Sequence, residues 1–366
     1  MKIATVLGTR PEIIRLSLII EKLDRFAENV LIHTGQNFDP MLSDVFFREL
    51  EVRAPDRYLG AGGSLARQVS DIFAGCEQAF AEVRPDRVLI LGDTNSGLAA
   101  YIAKRLGIPV FHLEAGNRCY DDRVPEEVNR RVIDHCSDIL MPYTERSRDN
   151  LLREGIASQR IFVTGNPISE VIDHFRPRID ASDVLDRLGV GDGRYVLVTL
   201  HRAENVDVVE RLRGLVDALG QVGRDHDLPV LVSTHPRTRA RLGQPERSSE
   251  PDGVRFLEPF GFFDFIRLEL SARCVMSDSG TVQEECALFG VPNVTLRDVT
   301  ERPETVECGS NILSGGDVDS ILRTTRLALS LPPRWSAPAE YRMAAVSDTV
   351  VRIVCGYHHG LGSLRG

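Results

Sequence analysis

Short apolar runs alternate along the chain with longer segments in which apolar positions recur every three or four residues. The first pattern predicts buried strands and the second amphipathic helices. In the first half the predicted strands are Ile3–Leu7, Val30–His33, Arg87–Leu91, Val110–Leu113, Ile139–Met141 and Ile161–Val163. Helical patterns lie between them, among them Pro11–Leu23, Leu65–Val83 and Gly97–Arg105. The alternation breaks at Gly165-Asn166-Pro167, and a polar connector with Pro177 and Asp180-Ala181-Ser182 follows. A second series then runs through Tyr195–Thr199, Val230–Ser233, Val254–Leu257, Cys274–Met276 and Asn293–Thr295. Strands alternating with helices predict an α/β protein whose parallel sheets are covered on both faces. Two series predict two doubly wound domains, residues 1–167 and 168–336, facing a cleft, with a last helix over residues 337–356.

The 366 residues are enough for two domains of ordinary size, and 42% hydrophobic with 27% charged residues is a globular balance. A net charge of -9 argues against nucleic acid as a partner while leaving local basic clusters free to hold phosphate. Seven scattered cysteines without a CxxC pair point to a reducing compartment and give no metal-ligand spacing. The chain opens directly on a strand, with no signal peptide, and no apolar run reaches the ~18 residues of a membrane span. A soluble cytoplasmic protein without membrane contact is expected.

Polar groups gather where the predicted strands end, the edge at which open α/β sheets bind ligands. Gly8-Thr9-Arg10 follows the first strand in the position of a phosphate loop, but G-x-G-x-x-G is missing, so no dinucleotide cofactor is expected. Arg10 and Arg15 offer cations beside a helix start, with a solvated helix face favoured for Arg15. His33 to Asn37 ends the second strand and includes Gln36. Asp93 ends the third strand, where an N-cap is its commoner role, and Glu114 ends the fourth, where no structural excuse exists for it. Pro125-Glu126-Glu127 starts a helix, so Glu126 could merely complement the helix dipole. Crowded carboxylates at one edge divide the roles of acid and base. In the second half His201, His235, the turn Ser277-Asp278-Ser279-Gly280 and Arg302 stand at the corresponding ends. As a set they describe an anionic ligand clamped between two sheets.

The ordered runs GTRPE, GDTNS, HLEAG, PEEVNR, TGNP, HRAEN, SDSGTVQEE and TERPE resemble the non-hydrolysing UDP-N-acetylglucosamine 2-epimerase family over residues 2 to about 330. The resemblance implies a GT-B architecture of two Rossmann-like domains, a last helix returning to the first domain, and a homodimer. By matched motif it implies catalytic roles for Asp93, Glu114, Glu126 and His201. It implies substrate-binding roles for Arg10, Arg15, Gln36, Arg130, His235, Ser279, Gly280, Glu284 and Arg302, with Glu284 accepting ribose hydroxyls. The runs depart from the common pattern at Arg15 (often lysine), at SDSGT (commonly DSGG) and at Asn37 (often histidine). HTGQNFD and EAGNRC look more like the branch acting on UDP-2-acetamido-2,6-dideoxy sugars of the L-talose/L-fucosamine type.

The implied chemistry suits these residues. The C2 proton of an N-acetylhexosamine is not acidic, but a general base can remove it as UDP departs, leaving a 2-acetamidoglycal. UDP then adds back while a proton arrives on the other face. Carboxylates near C2 and cations at the diphosphate suffice, with neither metal nor cofactor. A hydrolysing 2-epimerase and a GT-B glycosyltransferase are the alternatives, and the second leaves three clustered acids unexplained.

Overall fold

The computed structural model describes residues 1–36, 40–234, 236–242 and 252–357. The chain divides into two compact units, Met1–His174 with the segment from Ala339, and Phe175–Pro338. The division falls inside the helix Ile168–Asp180, past the Gly165–Pro167 turn where the pattern placed it. That helix also runs through the expected polar connector and carries Pro177 in its interior.

The first unit holds one parallel sheet of β1 (Lys2–Leu7), β2 (Glu28–His33), β3 (Arg57–Tyr58), β4 (Arg87–Leu91), β5 (Val110–Leu113) and β6 (Ile139–Met141), in the order β3-β2-β1-β4-β5-β6. The second holds β7 (Val196–Leu200), β8 (Val230–Thr234), β9 (Val254–Leu257), β10 (Cys274–Ser277), β11 (Asn293–Thr295) and β12 (Asn311–Leu313), in the order β12-β11-β10-β7-β8-β9. Numbered within its own unit, each sheet has the doubly wound order 3-2-1-4-5-6, which reverses direction beside its first strand. The reversal lies between β1 and β4 in one unit and between β7 and β10 in the other. The central strands are mostly apolar because helices cover both faces: every residue of β4, β5 and β10 is buried, the polar Arg87, His112 and Ser277 included.

Several elements differ from expectation. Ile161–Val163 contributes only an isolated bridge from Ile161 to Leu140. The edge strands β3 and β12 carry too few residues for alternation to mark them. The last helix is shorter than expected, Val346–Gly356, after a 3-10 turn at Ala339–Arg342. It packs on the helix Arg10–Phe26 of the first unit, where Lys22 bonds the Ser347 hydroxyl at 2.6 Å and Asp348, and Ser347 N–H donates to Glu170 at 2.8 Å. Among the described residues no helix is long and apolar enough to cross a membrane.

The entry to the first helix is built around Glu12. Its carboxyl takes the N–H groups of Gly8 and Thr9, both at 2.7 Å, while the Thr94 hydroxyl donates to its other oxygen at 2.8 Å. Burial pushes this carboxyl from the ordinary 4.5 up to about 7, against the Gly8 and Thr9 bonds that favour its charge. A carboxyl raised in the fold contributes its full stability below its unfolded value and loses that contribution as pH climbs through its folded one. The relevant window is therefore pH 4.5 to about 7. Glu12→Gln copies the neutral form, so relative to wild type it should gain up to about 3 kcal/mol between those limits, read by urea unfolding at pH 4.5 and pH 8.

Candidate active site

In the first unit the chemistry stands at the carboxyl ends of β1, β4 and β5. Leu91 pairs with Leu113, so Gly92-Asp93 and Glu114 leave the sheet side by side. Glu114 is buried and lies in the left-handed region at φ 69°, a conformation that costs a non-glycine residue on the order of 1–3 kcal/mol. Its N–H donates to Met141 O at 3.0 Å, and its carboxylate lies 4.0 Å from Nη1 of Arg15. Arg15 is therefore no solvated residue; it is 2% exposed, and its charge faces Glu114. Asp93 is held by Arg130, whose Nε and Nη2 reach Oδ2 at 2.8 and 2.7 Å. It is not an N-cap. Thr94 caps the following turn, its hydroxyl oxygen accepting from Ser96 N–H at 3.2 Å.

Glu126 and Glu127 part company at the start of the helix Pro125–Cys136. Glu127 is fully buried and accepts from the N–H groups of Cys119 and Tyr120, each at 3.0 Å, and from Arg130 at 2.8 Å. Burial works against its ionisation, but the Cys119 N–H and the Arg130 charge outweigh it and hold the carboxyl below its usual range. Glu127 thus fixes both the loop and Arg130, which in turn fixes Asp93. Glu126, on the same first turn, is only half-buried. Next to β1, Gly8 packs so closely on Thr34 and Ser96 that a Cβ would collide with both hydroxyls. Gln36 accepts from Ser96 N–H at 3.0 Å, and the Arg10 guanidinium sits 5.7 Å from the centre of the Phe46 ring.

In the second unit the ends of β7 and β10 meet through a histidine and an aspartate. His201 Nδ1 lies 2.8 Å from Oδ1 of the fully buried Asp278. Asp278 also takes His201 N–H and Arg202 N–H, both at 3.0 Å, and the Asn205 amide at 3.1 Å. Burial alone would raise its carboxyl, yet the His201 charge and these donors hold it well below the usual carboxylate range. The His201 side chain is 39% exposed, so the dyad presents one ring edge outward.

The helix Gly280–Phe289 begins beside this dyad with Ser279 at its N-cap. Around it stand arginines tied to one glutamate: the buried Arg297 reaches Glu301 through Nη1 at 2.9 Å, and Arg202 and the buried Arg302 lie 3.9 Å from its other oxygen. Arg302 also bonds Glu284. Cations at a helix N-terminus favour phosphate oxygens. Glu284 is fully buried, with its carboxylate on Arg302. His235 and Asn37 lie outside the described residues. Among the described residues no group of three or more histidine, cysteine, aspartate or glutamate side chains is placed to hold a metal ion.

Each unit thus joins its own expected residues: Arg15 with Glu114 and Arg130 with Asp93 in the first, Arg302 with Glu284 beside Gly280 in the second. Sequence reasoning missed Glu127, Asp278, Arg297 and Glu301 as organisers. Only Asp278 carried a usable signal, a carboxylate directly after a strand that borders the reversal of the sheet.

The model of the family described as UDP-N-acetylglucosamine 2-epimerase matches residues 21–354. The UDP-N-acetylglucosamine 2-epimerase of Methanocaldococcus jannaschii is 38% identical over 368 residues, covering 97% of this chain and 99% of that protein. The UDP-2,3-diacetamido-2,3-dideoxy-D-glucuronate 2-epimerase of Pseudomonas aeruginosa is also 38% identical, over 335 residues, covering 90% of this chain and 92% of that protein. The crystal structure of the M. jannaschii enzyme in complex with UDP-GlcNAc and UDP is similar with a TM-score of 0.92, covering 97% of this chain and 99% of that one.

A Cβ added to Gly280 would stand 2.5 Å from Glu301 Oε1. Gly280→Ala should therefore push Glu301 off the arginines and lower stability by about 1–3 kcal/mol, the usual scale of overpacking, measured by urea unfolding.

Proposed function

We propose a reaction for this chain on one premise: it belongs to the UDP-N-acetylglucosamine 2-epimerase family. It is an epimerase that inverts C2 of a UDP-sugar. The finer reading is a non-hydrolysing epimerisation of a UDP-N-acetylhexosamine through a 2-acetamidoglycal. A carboxylate takes the C2 proton, the C1–O bond to the β-phosphate breaks, and its electron pair leaves with UDP. A UDP oxygen then attacks C1 while a second carboxyl delivers a proton to the opposite face of C2. The two steps balance with no net consumption of water.

The observation that carries this reading is the pair of arginine-held carboxylates at the ends of neighbouring strands, Asp93 on Arg130 and Glu114 beside Arg15. Together with Glu126 they supply the acid and base. Within the second unit, Arg302 and the start of the helix at Gly280 suit the departing diphosphate, with His201 donating to its developing charge. Glu284 keeps Arg302 aimed. Water must be kept from the glycal, or the same residues would hydrolyse the substrate.

The M. jannaschii and P. aeruginosa relatives are equally similar to this chain yet bear the names of different sugars, so identity does not choose the substrate. HTGQNFD and EAGNRC favour a 6-deoxy sugar, so both 6-hydroxy and 6-deoxy substrates belong in the test. In D2O, NMR should show an epimer mixture in which product and recovered substrate carry deuterium at C2. Steady accumulation of UDP and free sugar would identify a hydrolase instead, and retained protium at C2 would reject deprotonation by a solvent-exchanging base.

Asp93→Asn, Glu114→Gln and Glu126→Gln should each lower kcat by roughly 10²–10⁴ with the fold intact. Normal turnover by all three would leave the acids a structural role only. Arg302→Ala should weaken UDP itself by about 10–150-fold, the loss of one charge-assisted hydrogen bond, read by calorimetry.

A further inference from the structure

His112 sits within β5 at 1% exposure, an imidazole in a strand otherwise made of Val110, Phe111 and Leu113. Its Nε2 lies 2.8 Å from the carbonyl oxygen of Gly92, and its Nδ1 lies 2.8 Å from Oδ1 of Asp134. A peptide carbonyl offers only lone pairs, so Nε2 must donate. The other oxygen of Asp134 accepts the Gly116 N–H at 3.2 Å and the Arg118 guanidinium at 2.8 Å. Burial pushes the Asp134 carboxyl up, but the His112 bond and the Arg118 charge outweigh it and hold the group below its usual range. The Arg118 cation and the Gly116 N–H on its Oδ2 keep Asp134 a carboxylate, so its Oδ1 accepts and Nδ1 donates too. The ring therefore holds a proton on each nitrogen.

One acceptor lies in the loop that bears Asp93, and the other, on the helix Pro125–Cys136, holds the loop that bears Glu114. Gly92 immediately precedes Asp93, and Asp134 grips the backbone of Gly116, two residues beyond Glu114. Arg118 continues the chain of bonds to Glu154, at 2.8 and 2.6 Å. Two buried cations, His112 and Arg118, are thus matched by Asp134 and Glu154, and none of the bonds can be dropped without stranding a charge. No other natural side chain offers two rigid donors on opposite edges of one small ring.

We propose that His112 is a positioning residue for the epimerisation: a buried, doubly protonated ring that sets the spacing of the Asp93 and Glu114 loops by donating to Gly92 and Asp134 at once. It touches no reacting atom. The proposal rests on the catalytic roles given to Asp93 and Glu114 above.

The test has two independent readouts. In full-length protein labelled with 15N-histidine, one of the nine histidines should show a directly bonded proton on both ring nitrogens, each slow to exchange. The signal is assigned to His112 through its own backbone correlations. A single ring N–H at His112 would overturn the proposal. The second readout is His112→Gln, which keeps one donor. It should lower kcat by about 10²-fold, the scale of a small misplacement of catalytic groups, while the Kd for UDP stays within about twofold. A folded variant with wild-type kcat, or one that loses UDP affinity in proportion to kcat, would also overturn it. If His112→Gln does not fold, the ring protons of the wild type decide. A wild type that epimerises no UDP-N-acetylhexosamine, yet shows both ring protons, would instead mark the failure of the proposed reaction.

Discussion

Charge placed where parallel strands end has lost most of its water, and it persists only if partners of opposite charge or aligned donors stand within hydrogen-bonding reach. That requirement organises both units. Asp93 has Arg130, Glu127 has Arg130 and two backbone N–H groups, Asp134 has His112 and Arg118, and Asp278 has His201 and three further donors. The arginines are as constrained as the acids. Arg297 and Arg302 are nearly inaccessible, and each is held by a glutamate of its own unit. Such networks resist rearrangement, because removing one member leaves another buried without its match.

The same requirement explains what could be read from the sequence. Central strands are continuous apolar runs, so β1, β4, β5, β7, β8 and β10 stood out, and the carboxyl-terminal neighbours of those runs held the candidate residues. Periodicity could not show which of two adjacent glutamates turns inward. Glu126 and Glu127 differ by one position on a helix, and only the loop at Cys119-Tyr120, folded back onto the helix start, selects Glu127 as its acceptor. Arg15 was misread for a related reason. Its helix is apolar on the faces that Ile13, Leu16 and Ile19 occupy, and an arginine between them looks solvated until Glu114 arrives from a strand far along the chain. Edge strands β3 and β12 are too short for any pattern.

The two sheets share one strand order although no repeat is visible in the residues. In each, the reversal of direction leaves a crevice beside the first strand, and the loops there carry the polar groups: Gly8 and Asp93 in one unit, His201 and Asp278 in the other. The contents differ in kind. The first unit presents carboxylates braced by arginines, and the second presents arginines braced by carboxylates.

The left-handed backbone at Glu114 sets a limit on how this protein can evolve. Glycine would relax that φ, but it would also remove the carboxylate that the buried Arg15 faces. Stability alone therefore pulls both ways at this position, because the backbone relaxes only by taking a negative charge from beside a buried positive one.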